Sequence, residues 1–326
     1  MSATRDVDVA VIGAGPAGTA AAIRAAELGA KTALVTSGAF GGMAANDGPI
    51  PVRTLAHAAR LLREARQLPR YGIATGGVSL DYRQLLARAR EVVAEAASRS
   101  TLRKQVDEAG VAVYEHAGTA HFADAHTIES PGAPRLRAQK VILCAGGVSR
   151  RLAIAGFELT ATPADAFSLT SVPRSLLVIG AGATGVQVAS IFNALGADVE
   201  LFQAGPRILP TEDEDVSSAV AQGFREDGIT VREDFGTIER FEKSAAGISM
   251  TFAKNGVEQS AEAALAVCAV GWVADVTGLN LPAAGVETDE RGYIRVDEHL
   301  QTAAPHVLAA GDITGRLMLV PQAVRD

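Results

Sequence analysis

Apolar runs of strand length recur along the chain, and several of them lead into glycines or into stretches with helical spacing. The first run, residues 9–12, continues into three glycines spaced G-x-G-x-x-G, after which residues 17–28 show the pattern of a helix. Gly29 caps this helix, and residues 31–35 are predicted to form the second strand. The order of strand, glycine turn, helix and strand predicts a βαβ unit.

The remaining pattern predicts further elements of the same kinds. Residues 38–51 form a glycine-rich loop, and residues 54–67 and 82–98 have helical spacing. Residues 111–126 alternate between apolar and polar, which predicts a small antiparallel sheet. Buried strands are predicted at 140–147, 175–179, 263–271 and 306–311, and a connection at 160–173.

The glycine motif occurs a second time, at residues 180–185, and the two copies form an internal repeat. Gly13 pairs with Gly180 and Leu34 with Leu201, both at an offset of 167, as does the Leu-Gly-Ala that ends each helix. The first glycine of such a motif makes the turn, the second lets the backbone approach a pyrophosphate, and the third packs the helix on the strand. The phosphates lie at the helix N-terminus, where free N–H groups attract anions. Two motifs predict two dinucleotides.

Composition and charge narrow the function classes. The chain has 326 residues, 48% of them hydrophobic and 21% charged, which suits a globular protein of two domains. A net charge of −7 argues against binding to nucleic acid or to anionic lipid. Charged residues interrupt any signal segment at the N-terminus, and no apolar run is long enough to insert into a membrane. Only two cysteines are present, which favours a reducing, cytoplasmic location.

Several stretches together carry a resemblance to one family. They are the loop GGMAANDGPIPVRTL at 41–55, the strand end CAGG at 144–147 followed by GFE at 156–158, the second glycine motif, and Gly311-Asp312. With these motifs the chain resembles the pyridine nucleotide-disulfide oxidoreductases, the flavoprotein group of dihydrolipoyl dehydrogenase, glutathione reductase and mercuric reductase. The resemblance covers nearly the whole chain.

The resemblance implies an α/β fold with two Rossmann-like, three-layer dinucleotide-binding domains in tandem. The FAD domain, residues 1–155 plus 276–326, is then split by an NAD(P) domain at 156–275. The implied cofactors are FAD and NAD(P)H, with no metal. An Asp at position 312 is expected to accept a hydrogen bond from the flavin ribityl chain.

The residues expected to bind cofactor follow from the same resemblance. Those on the FAD side are Gly13, Gly15, Pro16, Ala17, Gly18, Thr36, Gly41, Gly42, Gly118, Ala145, Gly146, Gly311 and Asp312. Those on the NAD(P)H side are Gly180, Gly182, Thr184, Gly185, Gln203, Arg207 and Gly271. The neighbouring Trp272 either lies near the dinucleotides or caps a core.

The chain departs from the family at the redox-active disulfide. The two family cysteines that relay electrons from flavin to substrate map to Ala44 and Pro49, neither of which does thiol chemistry. Cys144 and Cys268 lie in apolar strand-like runs without C-x-x-C spacing, as expected of buried structural thiols. Thiol–disulfide reactions are therefore not expected.

Two further departures concern the ribose groups. The acidic residue expected about twenty residues past the first glycine of each motif is replaced by Thr36 and by Gln203. A neutral group still hydrogen-bonds a ribose hydroxyl, with roughly half the strength of a charged acceptor. Gln203 does not repel a 2′-phosphate, and Arg207 is a candidate partner for one, so the choice between NADH and NADPH stays open.

The family Lys–Glu pair near the flavin maps to Arg53 and Gln187. Arg keeps its proton and Gln is neutral. The hypothesis is that Arg53 and Gln187 still meet by a hydrogen bond and gate the access of the nicotinamide to the flavin. The Arg53 cation would also stabilise negative charge on the reduced flavin. The alternative is a solvated Arg at a helix start.

The family continues into an interface domain that makes the dimer and supplies a His-Glu pair, and neither is expected here. Dimerisation through that domain is then not possible. The six histidines are interpreted as structural or surface residues, and the helix after Asp312 is expected only as the short segment 320–325. The chain is either truncated or a minimal two-domain form, with a flavin open to solvent and to outside acceptors.

The leading hypothesis is an FAD-dependent NAD(P)H oxidoreductase that passes electrons to a small-molecule acceptor such as a quinone, a dye or oxygen. One alternative is a truncated or degenerate nucleotide-binding flavoprotein without turnover. A second is a mercuric or dihydrolipoyl reductase, against which the missing cysteines count.

Overall fold

The computed structural model describes residues 4–74 and 76–326. This part of the chain divides into two compact units. The first contains residues 4–50, 92–148 and 272–326, and the second contains Pro51–Glu91 and Ser149–Gly271. The strands are β1 (Thr4–Ile12), β2 (Thr32–Val35), β3 (Ala112–Tyr114), β4 (His121–Asp124), β5 (Thr127–Glu129), β6 (Arg135–Leu143), β7 (Gly147–Ser149), β8 (Ser175–Ile179), β9 (Asp198–Gln203), β10 (Thr230–Glu233), β11 (Thr237–Ser244), β12 (Gly247–Lys254), β13 (Val257–Ala263), β14 (Leu265–Cys268), β15 (Trp272–Ala274) and β16 (Val307–Ala309).

The α-helices are α1 (Pro16–Glu27), α2 (Gly42–Asn46), α3 (Pro49–Gln67), α4 (Tyr82–Ser98), α5 (Thr101–Glu108), α6 (Pro163–Phe167), α7 (Ala183–Leu195), α8 (Glu214–Glu226) and α9 (Val320–Arg325). Short 3₁₀ turns lie at Leu68–Tyr71, Phe157–Leu159, Leu281–Ala284 and Gly311–Thr314. No helix in the described part of the chain combines the length and the apolar character needed to cross a bilayer.

The first unit is built on a sheet with the order β3-β2-β1-β6-β5-β4, and β16 also pairs with β6. Strands β3, β2, β1, β6 and β16 are parallel, whereas β5 and β4 continue the sheet antiparallel from β6. Alternate residues of β1 face opposite layers, because successive side chains of a strand point to opposite sides. Val11 packs with Ala22 of α1, whereas Ile12 packs on the opposite face of the sheet, in a core that contains Ile313.

The second unit has a parallel sheet with the order β10-β9-β8-β14. On one side, Val178 packs with Val188 and Phe192 of α7. On the other side, Ile179 packs with Met250 of the antiparallel sheet β11-β12-β13. The unit therefore has three layers, helix, parallel sheet and antiparallel sheet. Together the two parallel sheets confirm the predicted α/β class.

Some predicted elements differ from the structure. Residues 111–126 are not one antiparallel sheet, because β3 joins the parallel sheet beside β2 and only β4 and β5 form a hairpin. The loop at 38–51 contains α2 and the start of α3, and α5 had no predicted counterpart. Pro51–Glu91 belongs to the second compact unit, a division by packing that does not test the predicted division by cofactor.

Candidate functional site

The first glycine turn joins β1 to α1 at the carboxyl end of the parallel sheet. Gly13 has a φ of +104°, which favours glycine. A Cβ on Gly18 would overlap the Gly13 carbonyl and would stand 3.1 Å from the Cβ of Cys144. Gly13 and Gly18 are therefore required by the packing of the turn itself.

Gly15 is different, because a Cβ placed on it would meet no atom of the described residues within 4 Å. Its φ of −73° is open to any residue, and it stands at the N-cap of α1 without a side-chain cap. Neither backbone strain nor packing within the protein explains a glycine here. Open space in front of an uncapped helix N-terminus fits the approach of a pyrophosphate.

The second turn repeats this geometry. Gly180 has a φ of +93°, and a Cβ on Gly185 would overlap the Gly180 carbonyl and stand 3.4 Å from the Cβ of Ala269. Gly182, at the uncapped N-terminus of α7 with a φ of −72°, faces open space as Gly15 does. Both motifs thus provide a cradle that side chains would fill, which fits two dinucleotides.

The loop after β2 closes on the first turn. The Gly41 N–H donates to the Ala14 carbonyl at 2.8 Å. Gly42 lies so close to the turn that a Cβ on it would stand 2.9 Å from the Cα of Gly15. The structure therefore brings Gly41 and Gly42 to Gly15, as predicted for residues that share one phosphate site, and their binding role stays a prediction.

Gly311 and Asp312 also lie at the first turn. A Cβ on Gly311, whose φ is +77°, would stand 2.8 Å from the Cβ of Ala17. Burial, followed by the nearby charge of Asp326, raises the pKa of the Asp312 carboxyl. No cation pairs with Asp312 among the residues that the structure describes, and such a partly buried carboxylate gains from a hydroxyl donor. This fits the predicted hydrogen bond to a ribityl chain.

Other residues predicted on the FAD side lie on loops around the same sheet. Thr36 is buried, and its N–H donates to the Tyr114 carbonyl at 3.0 Å. Gly118 has a φ of +72°, and a Cβ on it would stand 3.1 Å from the ring of Pro131. Ala145 follows the buried Cys144, and the Gly146 carbonyl accepts a hydrogen bond from the Asp275 N–H.

In the second unit, Gln203 and Arg207 are engaged within the protein. The Gln203 Oε1 accepts a hydrogen bond from the Ala181 N–H at 2.9 Å, which leaves its side-chain NH₂ group as the donor toward a ligand. The Arg207 guanidinium donates to the carbonyls of Glu212 and Pro210, at 2.7 and 3.0 Å. Within the described residues these bonds use two of its five N–H groups, and its contact with a 2′-phosphate stays a prediction. Thr184 lies in the first turn of α7, and Gly271 has a φ of +104° with open space at its Cβ.

Arg53 and Gln187 lie at the N-terminal parts of α3 and α7, two helices of the second unit that pack through Leu55, Ile191 and neighbouring apolar residues. Both side chains are exposed. Within the part of the chain that the structure describes, no hydrogen bond joins them. Their pairing during a reaction stays a prediction.

The two cysteines are buried and free. Burial raises the pKa of the Cys144 thiol to about 12 and that of the Cys268 thiol to about 11. A thiol with such a pKa carries almost no nucleophilic thiolate at neutral pH.

Sequence reasoning missed two carboxylates, Glu115 and Glu233, which directly follow β3 and end β10. Burial alone would raise the pKa of Glu115, but hydrogen bonds from the Phe40 N–H and from Arg103 outweigh it and hold the pKa below its usual value. A signal was present in the sequence. After each position expected to bind ribose, Thr36 and Gln203, the next strand of the parallel sheet ends at or directly before an acidic residue.

Comparison with known proteins identifies the family. Residues 7–326 match the family described as pyridine nucleotide-disulphide oxidoreductase. The chain is 34% identical to dihydrolipoyl dehydrogenase from Chlorobaculum tepidum over 97% of its own length and 68% of that protein. It is 31% identical to mercuric reductase from Lysinibacillus sphaericus, over 94% of this chain and 56% of that one.

Among solved structures, the chain is similar to the HOCl-induced flavoprotein disulfide reductase RclA from Escherichia coli, with a TM-score of 0.81 and 25% identity. The superposition covers 98% of this chain and 68% of RclA. The Cu(II) complex of the same protein, at 24% identity, has the same fold. These matches confirm the predicted resemblance and, with it, a family of FAD-dependent oxidoreductases that use NAD(P)H.

Proposed function

Because the chain belongs to the pyridine nucleotide-disulphide oxidoreductase family, we propose that it is an FAD-dependent NAD(P)H oxidoreductase that reduces an acceptor other than a disulfide. The acceptor would be a diffusible small molecule, such as a quinone, a redox dye or oxygen. It takes up the two electrons that leave the nicotinamide as hydride.

The state of the thiols supports the non-disulfide acceptor most directly. Ala44 and Pro49 occupy the positions of the family's cysteine pair, on α2 and at the start of α3. The two thiols of the chain are buried in separate compact units and have raised pKa values. A relay through a protein disulfide needs two thiols close enough to bond and at least one accessible thiolate. The second condition is not met, because both thiols are buried and their pKa values are raised.

The protein's contribution is binding and electrostatics. Gly15 and Gly182 leave space for a phosphate at the starts of α1 and α7, and the N–H groups there are the donors. When bound, FAD supplies the two-electron redox chemistry between coenzyme and acceptor. Asp312 would hold the ribityl chain by accepting a hydroxyl hydrogen bond.

Arg53 is the proposed catalytic cation. Its positively charged guanidinium would stabilise negative charge at the flavin. Replacement by Ala should slow flavin reduction by NAD(P)H, whereas Arg60→Ala, an exposed arginine on the same helix, should leave it unchanged. Equal rates in Arg53→Ala and the unmodified protein would rule out this role.

The test is an absorption spectrum of the purified protein, before and after addition of FAD, followed by anaerobic NADH and NADPH in separate samples. A yellow protein that bleaches with a coenzyme and is reoxidised by a quinone, dye or oxygen, but not by lipoamide, supports the proposal. Reoxidation by lipoamide or consumption of Hg(II) would instead favour a dihydrolipoyl or mercuric reductase. A protein that stays colourless with added FAD would favour the degenerate nucleotide-binding alternative.

A further inference from the structure

The carboxylate that is missing at the end of β2 has a counterpart one strand away. Strands β2 and β3 are parallel, with Val35 opposite Tyr114, so one step further along the same register Thr36 lies opposite Glu115. The hydrogen bond from the Thr36 N–H to the Tyr114 carbonyl continues the pairing at this point. Side chains of directly paired residues share a face of the sheet.

The Glu115 carboxylate is held by two donors. Its Oε2 accepts a hydrogen bond from the Phe40 N–H at 2.8 Å, in the loop that runs from Thr36 to Gly41 and Gly42. Its Oε1 forms an ion pair with Arg103 of α5, the helix that precedes β3. The side chain keeps 29% of its surface exposed.

The second unit contains the same arrangement. Strands β9 and β10 are parallel, with Gln203 directly opposite Glu233. The Glu233 Oε1 accepts a hydrogen bond from the Ile208 N–H at 3.1 Å, in the loop after Gln203. Its Oε2 accepts from Arg225 of α8, the helix that precedes β10, at 2.8 Å, and 23% of the side chain is exposed.

We propose that Glu115 and Glu233 are the ribose-binding carboxylates of the FAD and NAD(H) sites. In the first unit the carboxylate follows β3 instead of β2, and in the second unit it ends β10 instead of β9. This inference rests on the proposed function, because it needs both dinucleotides to bind. A carboxylate has about four acceptor positions, of which the loop N–H and the arginine use two. The arginine and the loop fix the rotamer, and the remaining lone pairs accept from ribose hydroxyls. Glu233 also disfavours a 2′-phosphate by charge repulsion, so NADH is the preferred coenzyme.

The experiment measures dissociation constants for FAD, NADH and NADPH with Glu115→Gln and Glu233→Gln, using fluorescence on purified protein. Gln keeps the size and one acceptor of Glu but removes the charge. Glu115→Gln should weaken FAD about tenfold and leave NADH within about twofold, the ratio expected when a charge-assisted hydrogen bond becomes a neutral one. Glu233→Gln should weaken NADH about tenfold, leave FAD unchanged and narrow the preference for NADH over NADPH.

Two controls separate ribose binding from a structural role. Glu129→Gln removes another carboxylate of the first unit, paired with Arg135 at 3.0 Å, and should change neither affinity. Thr36→Glu in the Glu115→Gln background places a carboxylate directly after β2 and should restore FAD binding. FAD that contains 2′-deoxyadenosine should bind the unmodified protein more weakly than FAD does, and this difference in affinity should be smaller in Glu115→Gln.

The inference is overturned by unchanged affinity of either variant for its own dinucleotide, by equal weakening of both dinucleotides in one variant, or by a preference for NADPH in the unmodified protein. The inference is also overturned if Glu115→Gln prefers FAD over the deoxy analogue as strongly as the unmodified protein does. An unmodified protein that binds no FAD overturns the proposed function as well. Binding of FAD by the unmodified protein with unaltered affinity in Glu115→Gln overturns this inference alone.

Discussion

Cys144 lies directly against Gly18, so that a Cβ on the glycine would stand 3.1 Å from the Cβ of the cysteine. Ala269 has the same relationship to Gly185 at 3.4 Å. In both units the residue that follows a strand end packs against the third glycine of the motif, while the second glycine faces open space. This division separates the glycines that the fold requires from those that we propose leave space for a ligand.

Gly18→Ala and Gly15→Ala should therefore fail in different ways. The first places a methyl group into the Gly13 carbonyl and should destabilise the protein without cofactor by about 2–3 kcal/mol through overpacking. The second should leave the stability of that form within about 0.5 kcal/mol and weaken FAD binding at least tenfold. Denaturant unfolding and FAD titration of both variants check this contrast, and equal stability losses would contradict it.

The thiols of Cys144 and Cys268 should not react in the native protein. Both are buried, and burial raises their pKa values to about 12 and about 11. We expect no titration by a disulfide reagent at pH 8 until denaturant is added, and then two equivalents. Turnover should also resist alkylating agents. Rapid native labelling with loss of activity would show that a thiol takes part.

Arg63 should anchor α3 to α7. Its Nη2 donates to the carbonyl and, at 2.8 Å, to the Oγ of Ser190, and its Nε lies 3.5 Å from the Asp227 carboxylate. Arg63→Met should lower the free energy of unfolding by about 1–2 kcal/mol, because charged hydrogen bonds are lost in a half-buried place. Arg60→Met removes exposed contacts with Glu64 and with the His57 ring, and should cost less than about 0.5 kcal/mol. Urea titrations of the two variants, compared side by side, test this difference.

His306 should make the protein more sensitive to acid. Its ring lies 4.4 Å from that of His126, and its buried Nε2 has no hydrogen-bond partner among the described residues. Burial, then the charges of His126 and Lys140, lowers the pKa of His306 below its usual 6.5. The unfolded chain then binds more protons than the folded one below about pH 6.5, so stability falls as the pH falls through this window.

His306→Gln should flatten the dependence of Tm on pH between about 5 and 7. His299→Gln, at a side chain that is 80% exposed, should leave the dependence as it is in the unmodified protein. Thermal unfolding at several pH values decides the matter, and an unaltered slope in His306→Gln would show that this histidine does not contribute.

The sequence by itself determined the α/β class, both glycine turns and the helices that follow them. These features depend on residues within about twenty positions, through φ angles that only glycine adopts easily and through helical or strand periodicity. The short helix after Asp312 was also predicted correctly, at Val320–Arg325. The predicted antiparallel sheet at 111–126 was partly wrong, since alternation does not say which strand is the neighbour.

Tertiary structure alone decided which distant residues meet. The pairing of β2 with β3 places Glu115 beside Thr36, and the pairing of β9 with β10 places Glu233 beside Gln203. Along the sequence, the positions expected to carry these acids hold Thr36 and Gln203. A parallel sheet brings the carboxyl ends of neighbouring strands to one edge. A carboxylate on one strand can therefore lie where the neighbouring strand lacks one. The strand register that places these residues side by side is set by packing across the whole sheet.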